Sequence, residues 1–382
     1  MDRRRFLGTS AAWAGVAGAA GLGTAALPER GWARSLESAA GPARQEGPLR
    51  LMYNENPLGL SPRAWQAVID ARGYANLYPE EQHEKLVNLL ARRLGVKPAN
   101  LVVGNGSTEI LQMAIQAAAG PGVPLVLADP TYEDIMVYQA PHAFEVIRVP
   151  LDAEMAHDLG KMREIVDGAR RPAVVYVCNP NNPTGTITPS RAIDQWIAEA
   201  PETTLFLMDE AYYEYADHPD YWSTMKFIDR PNVVTIRTFS KIFAMAGMRL
   251  GYAVTHEDTA ARLNQFILTV STNAFALAAG IASMEDTELV PRSVALNAES
   301  KRITEATLDE LGLEHLPTQA NFLMHRVGGD VRPYNAAMLE QGIRVGRPFP
   351  PMDEWNRVSF GLPEHMERWS EAVRGLRRRG VV

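Results

Sequence analysis

The chain has 382 residues, more than one typical hydrophobic core accommodates, so two lobes are expected. Hydrophobic residues make up 46% and charged residues 22%, which excludes wholesale disorder. The formal net charge of -7 argues against nucleic acid as a partner, and the one Arg-rich run, Arg374 to Arg379, suits a solvated helix end.

The chain opens M-D-R-R-R-F-L-G and continues with a mildly apolar stretch, rich in Ala, Gly and Thr, from Phe6 to Leu27. Small residues then offer cleavage after Ala26 or Ala33. A basic start, an apolar middle and a small-residue exit predict an export signal over residues 1–33. The run Arg3–Leu7 resembles a twin-arginine translocation signal, with Asp2 where a Ser is usual. That resemblance implies the twin-arginine export machinery as a partner, folding in the cytoplasm first, and a periplasmic or exported location. A retained membrane anchor and a cytoplasmic protein with an inert extension are the alternatives. Removing residues 1–33 deletes four Arg and two acids and takes the charge from -7 to -9. Residues 34–75 are expected to form an N-terminal arm, Pro- and Gly-rich up to Pro48, and a segment of a small domain.

A large domain is expected over residues 76–285. Leu86, Leu89, Leu90 and Leu94 share a helix face, as do Leu263, Phe266, Ile267 and Val270. Short apolar runs at Leu101–Val103, Leu125–Ala128, Phe144–Val149, Ala173–Cys178, Leu205–Met208, Val233–Ile236 and Leu250–Val254 read as seven strands covered on both faces. Alternation of strands with helices predicts a three-layer αβα domain around a mostly parallel sheet. Cys178, the one cysteine, ends such a run and reads as an inert buried thiol. No histidine spacing points to a metal. Residues 286–382 change character. Helical patterns at Ile303–Leu311, Val331–Met338 and Met366–Leu376 enclose strand-like Asn321–Val327 and Arg357–Phe360, which predicts a smaller α+β domain.

In open α/β sheets ligands sit beyond the carboxyl ends of the strands, so the residues following each run carry the functional argument. After Leu101–Val103 comes G-N-G-S-T-E, where Gly106 permits close approach, and Ser107 and Thr108 begin a helix that can cradle an anion. After Ala173–Cys178 comes the Pro-punctuated turn N-P-N-N-P-T-G, Asn179–Gly185. D-E-A-Y, Asp209–Tyr212, follows Leu205–Met208. Its leading carboxylate is costly at the end of a buried strand without a cationic or donor partner. R-T-F-S-K, Arg237–Lys241, follows Val233–Ile236, with hydroxyls at Thr238 and Ser240 and Arg249 eight residues beyond Lys241. A lysine there can be desolvated and form a Schiff base. An anion cradle, a carboxylate for a ring nitrogen, an amine for an aldehyde and an arginine for a phosphate together fit pyridoxal phosphate.

With N-E-N-P (Asn54–Pro57), L-Y-P-E (Leu77–Glu80), F-S-K-I-F-A-M-A-G-M-R-L-G (Phe239–Gly251) and R-V-S-F-G (Arg357–Gly361), these motifs resemble the fold-type I pyridoxal-phosphate aminotransferases, from about Leu51 to Leu376. The histidinol-phosphate aminotransferase branch is the most similar. The resemblance implies that Lys241 links to the cofactor and moves the proton, and that Asp209 holds the pyridine nitrogen protonated. It implies that Asn182 and Tyr212 bind the ring hydroxyl, that Tyr132 stacks on the ring, and that Ser107, Thr108, Thr238, Ser240 and Arg249 grip the phosphate. Tyr78 would reach the phosphate of a second subunit, which implies a homodimer. Arg357 would clamp the substrate carboxylate, and Arg347 its far end. Asn56 stands where some relatives carry a substrate-contacting Tyr. The reaction implied is amino transfer from a donor, histidinol phosphate above all, to a 2-oxo acid. The alternatives are an aromatic or other amino-acid aminotransferase, a related decarboxylase or oxidase, and an exported binding protein on an inactive fold.

Overall fold

A computed structural model describes residues 47–382 apart from residue 269; the export-signal expectation lies outside the described residues. The strands are β1 (Leu49–Leu51), β2 (Leu101–Gly104), β3 (Leu125–Asp129), β4 (Val146–Pro150), β5 (Ala173–Cys178), β6 (Thr204–Asp209), β7 (Val233–Thr238), β8 (Gly251–Thr255), β9 (Phe322–Arg326), β10 (Ile343–Val345) and β11 (Trp355–Ser359). The seven expected runs form one sheet in the order β2-β8-β7-β6-β5-β3-β4, in which β8 alone runs against the rest.

Why continuous apolar runs form these strands is visible in where their side chains go. In β5, Val174, Tyr176 and Cys178 join one core, while Ala173, Val175 and Val177 join another on the opposite face. In β6, Leu205 and Leu207 separate from Phe206 and Met208 in the same way. Helices cover both faces, so period-2 alternation separates one apolar core from another, not apolar from polar. Burial of a Phe206 or a Leu207 side chain contributes roughly 1.5–3 kcal/mol. At the sheet's functional edge the register aligns Cys178 with Asp209 and Asp209 with Ile236, and sets Gly251 beside both Gly104 and Thr238.

The C-terminal stretch has its own core, built on Trp369, Leu323, Val358, Tyr334 and Leu308. There β9 pairs antiparallel with β11, and β10 pairs parallel with β1. Leu51 therefore packs into a core otherwise made from the far end of the chain. The expected C-terminal helices are present and longer: Leu289–Leu311, Val331–Glu340 and Pro363–Arg378. The helical face expected over 263–270 is not formed. That helix ends at Leu263, a short 3-10 turn spans Asn264–Phe266, and Phe266 is 38% exposed. Spacing alone suggested one continuous stripe, but the helix ends at Leu263; of the later three, Ile267 still packs on the core that holds Leu263, while Phe266 and Val270 are exposed. Among the described residues no helix is long and apolar enough to cross a membrane.

Candidate active site

A cleft of about 430 Å³ opens beyond the carboxyl ends of β2, β3, β5, β6 and β7. Its lining brings together Ser107, Thr108, Tyr132, Asn182, Asp209, Tyr212, Thr238, Ser240, Lys241, Arg249, Arg347 and Arg357, residues drawn from the whole described chain.

At its floor Asp209 ends β6, 3% exposed. Its Oδ2 accepts from the Tyr176 hydroxyl at 2.8 Å and its Oδ1 from the Ala211 amide at 3.1 Å. Burial pushes the carboxyl up to about 6, against the pull of those hydrogen bonds and of the Lys241 charge. Lys241 stands across from it. Its Nζ donates to the Tyr53 carbonyl at 3.1 Å and lies 5.7 Å from the centre of the Tyr212 ring. Burial, then the neighbouring Arg357 cation, lower the amine from 10.5 to about 8, so an appreciable fraction is neutral and nucleophilic near neutral pH.

One end of the cleft is an anion cradle. The helix Ser107–Ala118 begins here, and its N-cap Gly106 supplies no capping side chain to the first-turn amides. Gly106 has φ +81°, and a Cβ on it would meet the Arg249 guanidinium at 2.4 Å. Arg249 itself is held in a left-handed backbone conformation, and its Nη1 donates to Ser240 Oγ at 3.3 Å and to the Ala246 carbonyl at 2.8 Å. Thr238 Oγ1 accepts from the Ser240 amide. Helix-start amides, four hydroxyls and a guanidinium converge as a phosphate requires.

The opposite end is built by the C-terminal core and the N-terminal strap. Arg357, on β11, is 6% exposed. Its Nη1 donates to Asn182 Oδ1 at 2.5 Å and its Nη2 to the Met52 carbonyl at 2.7 Å. Its Nε has no hydrogen-bond partner within the described residues. Burial lowers this guanidinium to about 10, still cationic at neutral pH. A buried cation with a donor to spare calls for an anion. Arg347, in the loop after β10, pairs with Glu133, and its guanidinium lies 4.4 Å from the centre of Phe349.

Tyr132 lines the cleft and donates to Asp134, its phenol raised far above the ordinary range by burial first. Tyr78 does not join this cleft and is 84% exposed. Asn56 is a correction. It does not line the cleft, because Nδ2 is committed to the Ile242 carbonyl at 2.9 Å and Ser293 Oγ at 3.0 Å. The motif's first asparagine, Asn54, takes the place instead. Its Nδ2 donates to the Tyr212 hydroxyl at 3.0 Å, its amide to Ser359 Oγ, and Ser359 donates back to its Oδ1. Asn54 has φ +56°, which turns its side chain inward. Spacing could not separate the two asparagines. Glu133 and Phe349 were also missed, although each sits beside a motif residue that was singled out.

The expected cofactor offers a phosphate, a ring nitrogen and an aldehyde. The Gly106–Arg249 cradle, the buried Asp209 carboxylate and the depressed Lys241 amine provide one partner for each.

The family model for aminotransferase class I and II matches residues 46–373. A histidinol-phosphate aminotransferase of Moorella thermoacetica is 36% identical over 332 residues, 86% of this chain and 85% of its own. Histidinol-phosphate aminotransferase 1 of Thiobacillus denitrificans is 37% identical over 329 residues, 85% of this chain and 84% of its own. The crystal structure of histidinol-phosphate aminotransferase from Sinorhizobium meliloti in complex with pyridoxal-5'-phosphate superposes with a TM-score of 0.82. It is 28% identical and covers 88% of this chain and 92% of that one.

Proposed function

Because the chain belongs to the class I and II aminotransferases and takes pyridoxal 5'-phosphate as its cofactor, we propose that it moves the amino group of histidinol phosphate to 2-oxoglutarate. The observation that carries this reading is the placing of two guanidiniums, Arg357 and Arg347, within 4.6 Å and 4.4 Å of the Phe349 ring centre in the cleft that holds Lys241. 2-Oxoglutarate carries two carboxylates and histidinol phosphate one doubly charged phosphate, and the two guanidiniums can meet either.

Bound in the cleft, the cofactor supplies an aldehyde to receive the amino group and a cationic ring to accept electrons. The residues do the rest. Ser107, Thr108, Thr238, Ser240 and Arg249 would hold the phosphate. Asp209 would keep the ring nitrogen protonated, and that cation would in turn bring the carboxyl below its present value of about 6. Tyr212, steadied by Asn54, and Asn182, steadied by Arg357, would face the ring hydroxyl. Lys241 Nζ would take the proton from the substrate's α-carbon, a task for an amine titrating near 8.

The exposed Tyr78 supports a homodimer in which Tyr78 of the partner subunit completes the cradle. Of the expected division into residues 34–75 with a small domain of residues 286–382, around a large domain of residues 76–285, the pairing of β1 with β10 supports the part at Leu49–Leu51, whereas Ala64 packs with Leu86, Leu90 and Phe239 in the core of the large domain. Export through the twin-arginine route rests on residues 1–33 and is tested by fractionating cells that express the chain with Arg3, Arg4 and Arg5 intact or changed to Lys.

The central test is the absorbance of purified, cofactor-loaded protein. The cofactor band is expected to shift with L-glutamate, recover with 2-oxoglutarate, and shift again with histidinol phosphate at low concentration. A response to glutamate and to aromatic amino acids, but none to histidinol phosphate, would replace the substrate. No cofactor band at all would remove the enzyme reading.

A further inference from the structure

Glu133 opens the 3-10 turn Glu133–Tyr138, directly after Tyr132, beyond β3. Arg347 lies in the loop after β10, 214 positions away. Their side chains form an ion pair in the lining of the cleft, and both remain open to solvent, Arg347 at 53% and Glu133 at 40%. Asp134, next in the chain, is occupied by the Tyr132 hydroxyl and takes no part. Arg347 has one further tether, from Nη1 to the Pro348 carbonyl at 2.8 Å, and rests against Phe349. Arg357 rests against the same ring. The two cations are near enough that the charge on Arg347 adds to burial in lowering Arg357. The cleft therefore offers one buried guanidinium with a donor unfilled and, close by, a second whose charge a protein carboxylate already answers.

We propose that Glu133 is a specificity-determining residue that competes with substrate for Arg347. A substrate whose far end carries an anion must displace the Glu133 carboxylate to reach this arginine. A substrate without such an anion leaves the pair closed. An exposed ion pair is weak and screened, so displacement is easy, and Arg347 is not stranded without a counter-charge in either state. The same pair ties the loop after β3 to the loop after β10, so its opening frees one point of closure over the cleft. This inference rests on the aminotransferase reading of the cleft and concerns which substrates that cleft prefers.

Two unreactive acids test it on the loaded enzyme: maleate, with two carboxylates, and acetate, with one. Dissociation constants are read by calorimetry for the wild type and for Glu133→Gln. The substitution is expected to tighten maleate about threefold to fivefold and to leave acetate unchanged. Glu133→Asp, which keeps the charge, is expected to stay much nearer the wild type. In steady state, KM for 2-oxoglutarate is expected to fall with kcat held, while KM for pyruvate stays put. Unchanged or weaker maleate binding in Glu133→Gln would overturn the proposal, as would equal tightening of acetate, or no maleate binding to either protein. Failure of every amino donor to shift the cofactor band would count against the aminotransferase reading, while the maleate titration still decides the role of Glu133.

Discussion

Lys241 and Asp209 are displaced from their ordinary titration ranges in opposite senses, and both shifts have burial as their largest cause. For Lys241 the folded protein binds the proton less tightly than the unfolded chain does. Stability of the cofactor-free protein therefore rises with pH between about 8 and the ordinary value of 10.5, and the burial penalty is fully present below about 8. Reaction with the aldehyde needs the neutral amine. The rate at which cofactor-free protein captures pyridoxal phosphate is expected to climb through pH 8 and level off above it, followed by stopped-flow absorbance. A climb centred near the ordinary lysine value would show that Lys241 is not desolvated. Much of this was legible in the sequence. An acid ending a buried strand and a lysine after another are chemically expensive, and that expense marked Asp209 and Lys241. Asn54 was hidden because its role depends on a left-handed backbone, which residue type alone does not announce.

The elements that build the site succeed through close approach of backbone. The first turn of Ser107–Ala118 is open because Gly106 leaves the Arg249 guanidinium the space a side chain would fill. Gly106→Ala is expected to push Arg249 out of the cradle and to strain a residue at φ +81°, weakening cofactor affinity roughly 10- to 100-fold, equivalent to about 1–3 kcal/mol. Equilibrium dialysis against pyridoxal phosphate measures it, and unchanged affinity would mean that the phosphate lies elsewhere. Element legibility followed length and burial. β5, covered on both faces and apolar throughout, was readable to the residue, and the other six runs fell within one or two residues of their strands' ends. β1 and β10 have three residues each and are defined by pairing across nearly the whole chain, so no local pattern reveals them. The false stripe over 263–270 came from helical spacing in a segment whose helix ends at Leu263.

At the scale of the molecule, the cleft draws on both ends of the described chain, and Tyr78 stands outside it. The proposed homodimer makes a quantitative forecast. Lys241→Ala and Tyr78→Ala are each expected to be poorly active alone, the former by about 10⁴-fold. Unfolded and refolded together, they form mixed dimers in which one of the two sites has both residues intact. Equal mixing is then expected to restore about a quarter of wild-type activity, since half of randomly paired dimers are mixed. No recovery from well-folded mixed dimers would show that each subunit supplies its own cradle.

The bridge from Ser359 through Asn54 to Tyr212 ties residues made early in synthesis to residues made near its end. Arg357 holds Met52 across a comparable span. A ribosome adding roughly 5–20 residues per second has the large sheet's strands in hand well before it delivers β11. For those seconds the nascent chain has made Lys241, Asp209 and the segment around Asn54, but not Ser359 and Arg357, which hold that segment in place. Substrate binding thus belongs to the complete chain, and a messenger truncated before codon 357 would yield a protein with the lysine and the phosphate cradle but without the buried guanidinium that calls for the substrate's anion.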